Sequence, residues 1–223
     1  DMSYIAVIVE SPAKCSKIES FLGSGYKCMA SFGHIRTMDH IDCISVDDNF
    51  APTFKILDSK TRQIKSLDNF IRKASEVILA TDDDREGEAI AWHVKEYLNE
   101  KKLIKEYWEI VSKNIPEWQL LIQGKTSSSE LRKSFVHTNT NCLNAIGIAG
   151  QIIIEQNPDS WKDVLKNLKK IDWSRESSNW EKRLILNGQM QKHAAGIDLA
   201  ANVILQKCGV SLSEDRQKIE DKL

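Results

Sequence analysis

The chain has 223 residues, 41% of them hydrophobic and 28% charged, with a net charge of −1, which suits one large or two small globular domains. No apolar run approaches the roughly 18 residues of a membrane span, and the opening Asp1-Met2-Ser3-Tyr4 lacks the basic start and apolar core of a signal peptide. The five cysteines are odd in number and never spaced C-x-x-C, which argues against a disulfide framework or zinc knuckle and for reduced thiols in an intracellular setting, cytoplasmic, nucleoid or nuclear.

Residues 5–9 form a short β-branched run that predicts a buried strand. Residues 17–22 then predict a helix ended by Gly23 and Gly25, and residues 27–32 a second strand before a turn at Gly33. From Arg36 to Thr53 the pattern breaks into an irregular excursion. Ile64, Leu67, Ile71 and Ala74 recur at helical spacing, so a covering helix is expected there. Residues 77–80 predict the next buried strand, with a helix through Ala89, Ile90 and Val94. A β-α-β-loop-α-β-α order implies a parallel sheet with covering helices.

After about residue 100 the character changes. Five of the six tryptophans lie there, and strand-like runs become rare. Residues 1–100 carry a net charge of −5 and residues 101–223 a net charge of +4, a basic excess compatible with nucleic acid. Ser127-x-x-Glu130 and Ser211-x-x-Glu214 read as capping boxes, and Asn157-Pro158 places a proline where helices begin. Ile197, Ala201, Ile204, Leu205 and Cys208 share a helical face that Gly209 ends. The division expected is an α/β domain over 1–100 and a mainly α-helical domain over 101–223.

Two segments carry chemistry. Val9-Glu10-Ser11-Pro12-Ala13-Lys14 and Thr81-Asp82-Asp83-Asp84-Arg85-Glu86-Gly87-Glu88 each follow a predicted strand and precede a predicted helix. Ligands of open α/β sheets gather at the carboxyl ends of such strands. Side by side, these two would place Glu10, Asp82, Asp84 and Glu86 around one cleft. Four carboxylates repel one another unless a cation sits among them. A Mg²⁺ ion is the natural candidate, since it takes one or two carboxylates together with waters and a substrate phosphate. Asp82 and Asp84 alternate by two, so on an extended segment both would leave one face and chelate one ion. A solvated acidic turn capping the next helix is the other reading of the same residues. Glu10 is a candidate general acid or base. Lys14 would meet a phosphate oxygen as a point charge, and Arg85 would pair with phosphate or hold its carboxylate neighbours.

Val9 to Lys14, Ser31-Phe32-Gly33-His34-Ile35-Arg36 and the run from Ala80 to His93 together resemble the TOPRIM domain of type IA DNA topoisomerases, in order and spacing, over about the first hundred residues. The resemblance implies a TOPRIM-like, Rossmann-like fold and Mg²⁺-dependent cleavage and rejoining of DNA, in a single-stranded region. It implies catalytic roles for Glu10, Lys14 and Arg85, metal ligation by Asp82, Asp84 and Glu86, and DNA contacts from Lys14, His34 and Arg36. That family cleaves DNA with a tyrosine in a separate domain, in a T-Y-x-R-T-like setting. None of Tyr4, Tyr26, Tyr97 and Tyr107 has such surroundings. The nucleophile would therefore come from a further domain or a partner chain.

Three readings stay open on the sequence. They are a topoisomerase-like part lacking its tyrosine, a non-catalytic DNA-binding or DNA-modification regulator, and a TOPRIM nuclease using metal-activated water. Residues 128–144, 171–175 and 180–201 bear a partial resemblance to DGQHR-type proteins, which include regulators of DNA sulfur modification, although the D-G-Q-H-R motif is absent. Trp173, Trp180, Arg175 and Arg183 would form either a basic-aromatic surface for nucleic acid or part of a core.

Overall fold

A computed structural model describes residues 4–38, 40, 43–45, 51–191 and 195–223. They form two compact units, meeting in sequence at Lys102 and Leu103. The architecture is α/β in the first unit, with a parallel sheet and covering helices, and mainly helical afterwards.

In the first unit β1 (Tyr4–Val9) is the central strand of a three-stranded sheet, flanked in parallel by β2 (Tyr26–Ala30) and β7 (Ala74–Leu79). Its side chains alternate between two cores, as the period of two along a strand requires. Ile8 packs with Ile35, with Ile64 and Leu67 of α2 (Thr61–Ile71), and with Val94 and Tyr97 of α3 (Arg85–Lys113). Val7 and Val9 face the other way, with Ala30, Cys15, Ile18 and Cys28, beneath α1 (Pro12–Leu22). The central strand is buried on both faces, which explains its continuous apolar run.

Several local expectations are corrected. α1 begins at Pro12, five residues earlier than its apolar pattern suggests, because Ser11 caps it through the Ala13 N–H and proline suits the first turn. Ala74 opens β7 and does not extend α2, since pairing with β1 outweighs the helical spacing. The excursion after Arg36 contains four two-residue strands: β3 (Arg36–Thr37) pairs with β6 (Lys55–Ile56), and β4 (Ile44–Ser45) with β5 (Ala51–Pro52). Parts of that stretch lie outside the described residues. Residues 99–113, where the character of the sequence changes, are the later part of α3.

The second unit is built from the end of α3, α4 (Pro116–Ile122), α5 (Ser128–Ser134), α6 (Thr140–Gln156), α7 (Trp161–Leu165), the hairpin β8 (Ile185–Leu186) and β9 (Gln189–Met190), α8 (Ala195–Lys207) and α9 (Glu214–Glu220). Its core joins Tyr107 and Val111 to Ala145, Ile146, Ala149 and Ile153 of α6 and to Ala200, Ala201 and Ile204 of α8. Tyr107 lies directly on Gly150, where an added Cβ would stand 2.3 Å from the ring, and its hydroxyl donates to the Ile146 carbonyl at 2.6 Å.

Ser127 and Glu130 form the capping box read from the sequence, but the Ser211 reading is corrected. Ser213 caps α9, two residues later. Pro158 likewise lies in a turn, and α7 starts only at Trp161. Trp173 and Trp180 are core residues, stacked at 5.4 Å with both indole N–H groups donating to backbone carbonyls, so they form no nucleic-acid surface.

Candidate functional site

Parallel pairing of β1 with β7 brings their carboxyl ends together, because Ile8 stands opposite Leu79 and the Ala80 N–H donates to the Ile8 carbonyl at 2.8 Å. The chain leaving β1 therefore delivers Glu10 beside the loop that leaves β7. The Glu10 carboxylate accepts the backbone N–H of Asp82. α1 starts two residues beyond Glu10 and presents Lys14 to the same corner, where its ammonium pairs with the Asp82 carboxylate. Glu10, Lys14 and Asp82, three of the residues singled out by sequence, meet here.

The cation among the carboxylates in this structure is Lys14. The hydrogen bond that Lys14 donates to Asp82 holds its ammonium pKa above the usual value, against a cost of desolvation, and the charges of Asp82, Glu10 and Asp84 add to the effect. The expectation of an extended Asp82–Asp84 segment is not met. Asp83 and Asp84 lie in a bend, and an Asp84 oxygen accepts the Gly87 N–H at 2.7 Å, capping the first turn of α3. This is the capping role weighed against metal binding. Glu86 and Arg85 are exposed in that first turn, and neither has a side-chain partner among the described contacts. Gly87 fixes the bend. A Cβ there would lie 2.2 Å from the Asp82 carbonyl oxygen and 2.8 Å from its nitrogen, so only glycine lets α3 approach its own entry loop this closely.

The Ser31–Arg36 segment borders the corner through the Gly33 N–H, which donates to the Glu10 carbonyl at 3.2 Å. Phe32 adopts a left-handed backbone, φ 57°, and its carbonyl accepts from Lys60. Arg36 does not face open solvent. It is buried, with its guanidinium paired to Glu100. His34 is half-buried, its ring 6.1 Å from that of His93. His93 is itself buried between Phe54 and Trp92, and burial, then the neighbouring His34 and Arg36, holds its imidazole below the ordinary value.

Among the described residues, no three His, Cys, Asp or Glu side chains form a group that could hold a metal ion as they stand. The donor chemistry still fits Mg²⁺. Its ligands are hard oxygens, it needs only one or two carboxylates, and the Asp82 side chain is 52% exposed on the open side of the corner. The part of Lys14 as resident counter-charge was missed in the sequence, although its place one turn into a helix behind Glu10 was the available signal.

The four tyrosines are placed as structural groups. Tyr4 donates to the Phe70 carbonyl at 2.6 Å, Tyr97 to Asp68 at 3.1 Å and Tyr107 to the Ile146 carbonyl, while half-buried Tyr26 lines an apolar groove with Val7, Ile18 and Phe21. No helix of the described residues is long and apolar enough to cross a membrane.

Comparison with known proteins finds two kinds of relative. The DndB family, described as DNA-sulfur modification-associated, matches residues 57–211. Curated relatives named DNA topoisomerase 1 match just under half of the chain. The protein of Zymomonas mobilis is 43% identical over 109 residues, 48% of this chain and 9% of its own length. That of Rickettsia typhi is 46% identical over 99 residues, 44% of this chain and 13% of its own. This chain thus spans about a tenth of the length of the topoisomerases it matches, and it contains a topoisomerase-related segment. A solved structure of full-length topoisomerase I from Thermotoga maritima is 38% identical, covers 42% of this chain and 16% of that one, and superposes with a TM-score of 0.39.

Proposed function

The chain belongs to the DNA-sulfur modification-associated DndB family through residues 57–211, and we propose that its topoisomerase-related segment binds Mg²⁺ and DNA phosphate at the Glu10–Lys14–Asp82 corner. The reaction class is that of type IA topoisomerases, cleavage and rejoining of a DNA strand in a single-stranded region. The nucleophilic tyrosine is supplied from outside the residues described here. The observation that carries this reading is the meeting of one carboxylate, one ammonium and an aspartate-rich bend at the carboxyl ends of two adjacent parallel strands.

Asp82, Asp84 and Glu86 would hold the ion, and Lys14 would meet a phosphate oxygen. Bound Mg²⁺ would neutralise phosphate charge and position the strand. Glu10 sits where it could hold or pass a proton at the leaving sugar oxygen. Arg85, exposed at the mouth of α3, would pair with a flanking phosphate, and His34 would border the strand. Arg36 serves this reading as a positioning residue, because its guanidinium is engaged by Glu100. The setting proposed is intracellular, on DNA.

A second reading has its own support. Lys14 already pairs with Asp82, and Asp84 is engaged as a cap of the next helix. Together with the family match, this favours a non-catalytic DNA-binding regulator of DNA sulfur modification. Supercoiled plasmid incubated with the chain and Mg²⁺ separates the readings. No relaxation by the chain alone is expected, because its tyrosines are committed to packing. Relaxed topoisomers, or a tyrosyl–DNA adduct on this chain, would overturn the assignment of an external nucleophile. Nicking without an adduct would instead identify a metal-dependent nuclease. Mg²⁺-independent binding with preference for sulfur-modified DNA would favour the regulator.

A further inference from the structure

Two of the five thiols stand together on the face of the sheet opposite α2. Cys15 lies in the second turn of α1 and Cys28 in the middle of β2, and both pack against the cluster of Val7, Val9 and Ala30. Register brings Cys28 opposite Val7, so its side chain shares the face of β1 that α1 covers. Cys15 and Glu19 follow each other at i and i+4 on α1 and hence point the same way. The Glu19 carboxylate accepts the Cys28 backbone N–H at 2.6 Å, which pins this helix face onto the residue that carries the second thiol. The two thiols lie in one side-chain cluster, and both are partly accessible, unlike buried Cys142 and Cys208.

We propose that Cys15 and Cys28 form a reversible disulfide that clips α1 to β2, one residue from Lys14. The oxidant class is a peroxide. One thiol, as its thiolate, attacks a peroxide oxygen, giving a sulfenic acid as the O–O bond breaks and water leaves. The sulfur of the second thiol then attacks the sulfenic sulfur, the S–S bond forms, and the thiol proton leaves with the sulfenic hydroxyl as a second water. Two thiols and one peroxide become one disulfide and two waters. Burial, followed by the neighbouring Cys15 thiol, raises the Cys28 pKa to about 12. Cys28 therefore stays largely protonated at neutral pH and gives up its proton only as the S–S bond forms. Closing this short loop would constrain the unfolded chain. The oxidised form would also hold the start of α1, and Lys14 with it, in fixed register to the sheet.

The full chain treated with a small excess of hydrogen peroxide, alkylated and digested tests this by mass spectrometry. The expected result is a peptide pair linking Cys15 to Cys28, loss of two of the five alkylatable thiols, a raised Tm and full reversal by dithiothreitol. Cys15→Ser and Cys28→Ser should each abolish the linked peptide and the Tm gain. The mapping on the parent chain needs neither variant to fold normally. Oxidation of other cysteines while Cys15 and Cys28 remain alkylatable would overturn the proposal, as would linkage of either to Cys43.

Discussion

An alanine at Gly87 would press its Cβ against the Asp82 backbone, which cannot yield as the tip of a flexible side chain could. Alanine normally favours a helix over glycine by about 1 kcal/mol. Here the steric cost prevails, and Gly87→Ala is expected to destabilise the first unit by roughly 1–3 kcal/mol. Thermal melting with and without Mg²⁺ would measure the loss, and any Mg²⁺-dependent gain in Tm should fall with it. Gly25→Ala is the control, since nothing lies within 4 Å of its added Cβ. A Gly87→Ala chain as stable as the parent would show that the bend is looser than its contacts require. The same bend explains why residue spacing misled at this point. Alternation of Asp82 and Asp84 implies a shared face only on an extended backbone, and the chain turns there so that Asp84 can cap α3.

At the scale of elements, α4, α5 and α6 meet around His137, which is fully buried between α5 and α6. The Trp118 indole donates to its Nδ1 at 2.9 Å, leaving the proton on Nε2, which faces Glu117 Oε2 at 3.4 Å. Burial pushes the imidazole down to about 4, and protonating Nδ1 would break the bond from Trp118. The unfolded histidine takes up its proton near 6.5, so between about 6.5 and 4 the unfolded chain binds more protons than the folded one. Stability is therefore complete above 6.5 and falls as the pH drops through that window, by up to about 3 kcal/mol. Denaturant melts across the window should show the slope in the parent and a flatter one in His137→Gln. Equal slopes would assign the acid sensitivity elsewhere. Nothing in the sequence marks His137, because its partners come from α4, from Phe135 and, through Trp173, from a segment 36 residues onward. The parallel sheet was legible for the opposite reason. β1 and β7 each carry a short β-branched run, and the chain leaving each of them carries its own Ser or Asp signal. Pro158 and Ser211 misled because the helices start later in the same polar stretches, α7 after Ser160 and α9 after its capping Ser213.

At the scale of the whole molecule, the two compact units meet in sequence within α3, and we propose that they fold as separate domains. Limited proteolysis should cut first within residues 99–105, which are largely exposed, and spare the stretch around Tyr107 and Val111, which are buried in the second unit's core. Cleavage at 107–111 before 99–105 would contradict that division. The account rests most heavily on the Glu10–Lys14–Asp82 corner as a joint site for Mg²⁺ and DNA phosphate. Fluorescence anisotropy of a labelled single-stranded oligonucleotide tests it most directly, titrated with parent chain and with the Asp82→Asn/Asp84→Asn variant, each with and without Mg²⁺. The expected result is binding that Mg²⁺ strengthens in the parent, with that increment absent in the variant. Binding that is indifferent to Mg²⁺ in both chains would contradict the account.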